Sequence, residues 1–137
     1  MQGATFLRHA VYQKYTIYQF DKNDATVKDL SATWIKEDEC YYFKKINPDI
    51  HVILAADLTT VSDSLKPDTF NDLTPATWSH KYDGGREWYT AIGHNPTDYS
   101  DPTYLLHLKN GILWVLNGSE NIDYAKAYAV SIDEAVK

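Results

Sequence analysis

The sequence is short of cysteine, of long apolar runs and of clustered positive charge, and each shortage removes a class of protein. One cysteine, Cys40, among 137 residues excludes an internal disulfide and leaves the redox compartment open. It lies in Cys40-Tyr41-Tyr42-Phe43 with no basic neighbour before Lys44, the setting of a buried structural thiol rather than a nucleophile. No stretch approaches the roughly 20 apolar residues that cross a bilayer, and residues 1–10 lack the hydrophobic run of a signal peptide. A membrane partner is therefore not expected, and a cytoplasmic and a periplasmic protein would read alike. The 13 Lys and Arg residues are scattered and are outnumbered by 19 Asp and Glu, a net charge of −6, so no nucleic-acid partner is expected either. The sequence has no Gly-x-Ser-x-Gly elbow, phosphate loop or dinucleotide glycine pattern. His9, His51, His80, His94 and His107 show no short zinc-type spacing, so the expectation is no metal and no cofactor.

Aromatic residues, at 14%, are what the chain has in quantity, with 11 Tyr and 4 Trp against 4 Phe. Tyr and Trp combine apolar area with a hydrogen-bonding tip, which suits sheet faces and sugar-stacking clefts equally. At this length the chain fits one domain, expected over residues 1–137, with a core that needs no disulfides.

The β-branched and aromatic residues from Lys14 to Phe20 predict a strand, and Asp21-Lys22-Asn23-Asp24 the turn after it. A helical turn is expected after Asp24, with the chain extending again at Thr33-Trp34-Ile35 and Glu37-Asp38-Glu39 forming a loop into a short strand from Cys40 to Phe43. Asn47-Pro48-Asp49 is turn chemistry, and the apolar run from Ile50 to Ala56 has the length and bounds of a central strand buried on both faces. Residues 57–73 read as a long surface loop. Asp83-Gly84-Gly85 supplies the positive φ of a tight hairpin between two β-forming flanks, 77–82 and 86–92, with the register open at either glycine. Asp101 can cap a helix that has Pro102 in its first turn and runs to about Asn117, where Asn117-Gly118 is the stop. Its expected buried face is Leu105, Leu108, Ile112, Val115 and Leu116, and a weaker second helix is expected over 122–136.

The stretch from Trp78 to Pro102, with Asp83-Gly-Gly-Arg86 leading to Tyr89-Thr-Ala-Ile-Gly-His94, resembles the signature of ThuA-like (trehalose-utilisation) domains, in which a glycine-arginine hairpin leads to a Tyr-Thr-Ala-Leu-Gly-His motif. Asp38-Glu39-Cys40-Tyr41 resembles the family's Asp-Glu-Trp-Tyr element, Asp49 to Leu54 its buried strand, Phe6-Leu-Arg-His9 its Phe-x-x-His segment, and Tyr104 to Leu116 its closing helix. The resemblance covers roughly Gly3 to Asn117. It implies a class I glutamine-amidotransferase-like (flavodoxin-like) α/β sandwich with a parallel sheet. This chain would be its C-terminal half, a mixed α+β piece with a β-hairpin and a closing helix, starting after the family's first strands and its His-Ala-Ala motif.

The resemblance also implies a sugar or keto-sugar ligand near the Gly93-His94 loop. His94 and Glu39 are the expected catalytic groups for proton transfer, with Asp38, His80, Arg86, Tyr89 and Tyr99 as ligand-binding residues. Arg86 brings a planar fork of five donors, suited to sugar hydroxyls or to a bridge with Asp38 or Glu39. Neighbours on a strand point oppositely, so at most one of those two acids is expected to face a cleft. His80 and Trp88 are expected to line one hairpin face, Trp88 as packing. The rival expectation is a non-catalytic truncated module that assembles as a homodimer or with a complementary fragment through an exposed sheet edge.

Overall fold

The computed structural model describes residues 2–67 and 71–118. Strands β1 (Thr5–His9) and β4 (Tyr41–Lys44) form an antiparallel pair of their own. Strands β2 (Gln13–Gln19), β3 (Thr33–Asp38), β5 (His51–Asp57), β6 (Leu73–Tyr82) and β7 (Gly85–Thr90) form a second sheet in the order β3-β2-β5-β6-β7. The mixed α+β architecture, the hairpin and the closing helix are as expected. Every pairing among the described strands is antiparallel.

Local chemistry explains most of these elements. In β2, Tyr15 and Ile17 are buried while Tyr18 faces outward, the alternation of a strand with one face on a core. β5 lies between β2 and β6 and is buried on both faces from Ile53 to Ala56. The β6–β7 turn uses Asp83 and Gly84, with φ of 50° and 79°, which settles the register with Gly85 as the first strand residue. Glu37 and Asp38 belong to β3 rather than to a loop. Between β5 and β6 the chain is not wholly a surface loop, because Leu58 and Val61 enter the core. Cys40 is buried in that core, which pushes its thiol up to about 12 and keeps it protonated.

Helix α1 (Pro102–Asn117) opens as expected, with the Asp101 side chain accepting the Thr103 N–H at 2.8 Å. Its buried face is not the expected one. Tyr104, His107 and Gly111 face the sheet with Leu108 partly buried beside them, whereas Leu105, Ile112 and Leu116 are exposed. The reason is Trp88 on β7: its indole packs where a side chain at position 111 would stand, since a Cβ there would lie 2.5 Å from the ring. A glycine opposite a tryptophan sets the helix rotation, and leucine periodicity does not report it. The second helix expected over 122–136 lies outside the described residues.

β6 and β7 thus separate two layers. On one face Thr77 and Thr90 meet His107 of the helix, and on the other Trp78 and Tyr89 stack at 4.2 Å and meet Phe43 of β4. His107 Nε2 lies 2.9 Å from Thr90 Oγ1, and burial pulls its pKa from 6.5 down to about 4. The unfolded chain therefore takes up this proton first as pH falls. The stability contributed by neutral His107 is complete above about pH 6.5 and lost through the window down to about 4, a change of about 3 kcal/mol. Urea unfolding at pH 7.5, 6, 5 and 4 should show this fall, and His107→Gln should lose that share of the slope; an unchanged slope in the variant would contradict the assignment.

Candidate functional site

Three distant chain segments meet at the ends of β1, β3 and β7. His9 closes β1, Glu39 follows β3, and His94 follows β7 after Ala91, Ile92 and Gly93. Glu39 Oε1 lies 3.7 Å from His9 Nδ1 and Glu39 Oε2 lies 3.4 Å from His94 Nδ1. The Glu39 side chain is 18% exposed, and the imidazoles of His9 and His94 are 42% and 56% exposed. One half-sheltered carboxylate therefore carries an accessible imidazole on each oxygen. Phe6 and Tyr41 stand beside them, with ring centroids 5.1 Å apart and both near His9. Burial, then the carboxylates of Glu39 and Asp38, hold the Tyr41 phenol above its ordinary pKa.

Beneath this surface lies a charged support. Asp38 and Glu39 point oppositely, as neighbours leaving a strand do, and Asp38 is the inward one, fully buried. Asp38 Oδ2 accepts the Gly93 N–H at 2.8 Å and Oδ1 accepts the Glu39 N–H at 2.8 Å. Lys36, two residues earlier on the same face of β3, is 3% exposed and lies 3.6 Å from Asp38 Oδ2. It also donates to Asp98 in the 3-10 turn Pro96–Ser100 that follows His94. The acid, the base and the second acid tie β3 to both sides of the His94 loop. Gly93 itself has φ of 108° and passes under the Tyr104 phenol, which donates to Ile92 O at 3.2 Å.

The other expected site residues divide. Tyr89 stands on the same side of the sheet as the cluster, half-buried, with burial and then the Tyr41 phenol raising its pKa. Asp38 serves the loop from within and is not available to a ligand. Arg86 does not bridge to Asp38 or Glu39: it lies on the helix face of the hairpin, with its guanidinium 3.9 Å from the centre of the Trp114 ring and packed where a Cβ on Gly118 would stand. His80 pairs across the hairpin with Glu87 and is buried with Trp78 on one face, while Trp88 opposes Ser79 on the other, so His80 and Trp88 do not share a face. Trp88 is packing, as expected. Tyr99 is exposed and edge-on to Tyr104, a contact to the helix rather than to Glu39 or His94.

Sequence reasoning missed His9, Lys36 and Asp98 as site residues. His9 was flagged only as part of a resembling segment, and its role needed the β1–β4 pairing that brings it to Tyr41. A polar groove of about 400 Å³ adjoins the cluster, lined by Tyr12, Lys14, Trp34, Glu37, Asp98 and Asp101 among others. Tyr12 joins the two, accepting a hydrogen bond from Asn95 beside His94 at 2.9 Å. Among the described residues one group has metal-ligand geometry: Asp21, Asp24 and His51, whose ligand atoms all lie within 4.8 Å of one another on a partly exposed turn at the opposite end of β2. No described helix is long and apolar enough to cross a membrane.

A family model described as ThuA, trehalose utilisation, matches residues 1–115. Two solved structures share the fold. A ThuA-like protein of Bacteroides uniformis is 24% identical, with a TM-score of 0.60 over 83% of this chain and 48% of its own. A ThuA-like protein of Parabacteroides merdae is 20% identical, with a TM-score of 0.57 over 92% of this chain and 44% of its own. The chain thus spans less than half the length of either. No curated protein matches.

Proposed function

The chain belongs to the ThuA family of trehalose-utilisation proteins, and from that membership we propose that it binds a sugar or keto-sugar over the surface formed by Glu39, His94 and their aromatic neighbours. The observation that carries the reading is the Glu39 carboxylate, half-sheltered, flanked by imidazoles and set beside the rings of Phe6 and Tyr41. Aromatic faces stack on the C–H faces of a sugar, while a carboxylate and imidazoles take its hydroxyls. The adjoining groove, with Trp34 and Tyr12 among acidic side chains, offers the same chemistry to a second ring. His94 is the proton-transfer group of this proposal and Glu39 orients it; Tyr89 supports the aromatic side. As part of the same proposal, residues 1–115 form the C-terminal half of a class I glutamine-amidotransferase-like sandwich, supported by the resemblance of the hairpin and closing helix.

The test is a thermal-shift titration of the whole chain with trehalose. A ligand at 100 times its Kd adds about 2.7 kcal/mol, on the order of 10 °C in Tm for a domain of this size. We expect a saturable rise in the native chain, its loss in His94→Ala and its retention in Arg86→Ala, because Arg86 belongs to the helix face. A rise abolished only by Arg86→Ala would refute this placement.

A further inference from the structure

Glu39 turns one oxygen toward each of two imidazoles, at 3.7 and 3.4 Å, and resting on the sugar-binding reading above we infer that His9 and His94 form a two-imidazole proton-transfer pair beside that one carboxylate, acting on a sugar with a carbonyl next to a hydroxyl-bearing carbon. The tautomers carry the argument. His9 Nδ1 lies 2.8 Å from the Ala10 carbonyl oxygen, which can only accept, so Nδ1 bears the hydrogen and Nε2 is left with its lone pair. His94 Nδ1 lies 3.4 Å from Glu39 Oε2, an ion-pair approach to an atom that can only accept, which favours the hydrogen on Nδ1 and the lone pair on Nε2 there too. An imidazole held at Nδ1 by an oxygen and open at Nε2 is the arrangement in which histidine takes and returns protons. Here two of them flank one carboxylate from different strands, and both are solvent-accessible.

The charge count fixes what the pair can do. The step uses one ring neutral and one protonated, an arrangement in which the single carboxylate balances the one imidazolium. The neutral ring removes the proton from the carbon beside the carbonyl; the C–H electron pair forms the new carbon–carbon double bond, the carbonyl π pair moves to oxygen, and the protonated ring supplies that oxygen with a proton. The product is a neutral enediol, with one proton exchanged between the rings and none gained or lost overall. Returning a proton to either carbon gives isomerisation or epimerisation without an oxidant or reductant. Glu39 is the positioning residue of this scheme, since both its oxygens are turned to the rings.

The test uses lactulose, a disaccharide ending in a ketose, in D2O with the whole chain. Proton NMR follows loss of the carbon-bound hydrogens next to the carbonyl, and thermal shift follows binding. Exchange at saturating lactulose that falls at least tenfold in both His9→Gln and His94→Gln is the expected result, with lactulose still stabilising each variant because a glutamine amide, unlike the alanine of His94→Ala, keeps a group that bonds sugar hydroxyls; both side chains are exposed, so folding is not at risk. Long-range proton–nitrogen spectra should also show the neutral form of each ring protonated at Nδ1, with His9 keeping that tautomer in Glu39→Gln through the Ala10 carbonyl; either ring protonated at Nε2 in the native chain overturns the pair. Lactulose binding without exchange overturns the inference and leaves the binding reading standing. Exchange indifferent to His9→Gln also overturns it, and neither binding nor exchange overturns both.

Discussion

Replacing Gly93 by alanine is expected to destabilise the fold by about 2–5 kcal/mol. Two costs add. Position 93 has φ of 108°, where an L side chain is strained by roughly 1–2 kcal/mol. A Cβ there would also stand 1.9 Å from the Tyr104 hydroxyl oxygen, and forcing a group into a packed core costs typically 1–3 kcal/mol. Neither neighbour can yield freely: the Tyr104 hydroxyl is held by Ile92 O, and the Gly93 N–H by buried Asp38. Gly85→Ala is the control, because its φ is negative and the nearest atom to its Cβ is 3.6 Å away, so its cost should stay near 0.5 kcal/mol. Urea midpoints for the two variants read the difference directly, and equal midpoints would contradict the packing described around the His94 loop.

Lys36→Met is expected to cost about 3–5 kcal/mol, because it leaves the carboxylates of Asp38 and Asp98 buried near each other without their cation. The double variant Lys36→Met with Asp98→Leu should be more stable than the single one, since Asp38 keeps the Gly93 and Glu39 N–H groups as partners. A double-mutant cycle measures this; strictly additive costs would show that the two charges do not interact. The exposed pair Lys14–Glu37, at 4.0 Å, is the contrast, and Lys14→Ala should change stability by less than about 0.5 kcal/mol. The ligand response should follow the same order, because Lys36 and Asp98 hold the loop that carries His94.

What was legible in the sequence is what local chemistry decides. Asp83-Gly84 announces its turn because both residues need positive φ, Asp101-Pro102 announces the helix start, and the apolar bounds of β5 announce a strand with sheet on either side. What was not legible depends on partners far along the chain. β1 is five residues long, mostly exposed, and exists through pairing with β4 more than thirty positions away, so Thr5 to His9 carries little strand signal of its own. The helix rotation depends on Gly111 receiving Trp88, a fit between two shapes that hydrophobic periodicity cannot encode. Arg86 looked like a ligand fork because arginine so often is one, yet here it lies along Trp114 near the helix C-terminus. Lys36 and Asp98, charged residues of types rarely buried, are concealed by the assumption that charge faces water. The site was half visible: Glu39 and His94 came from the resembling motifs, and His9 came from the fold.

The central claim is that a sugar meets this protein where Glu39, His9 and His94 converge, and residue-by-residue NMR of the trehalose titration tests it most directly. The account predicts saturable backbone shifts concentrated at His9, Glu39, Tyr41, Gly93 and His94, extending to Tyr12 and Asn95 at the groove. Shifts confined to the Arg86–Trp114 face, or to the Asp21, Asp24 and His51 turn, would contradict it.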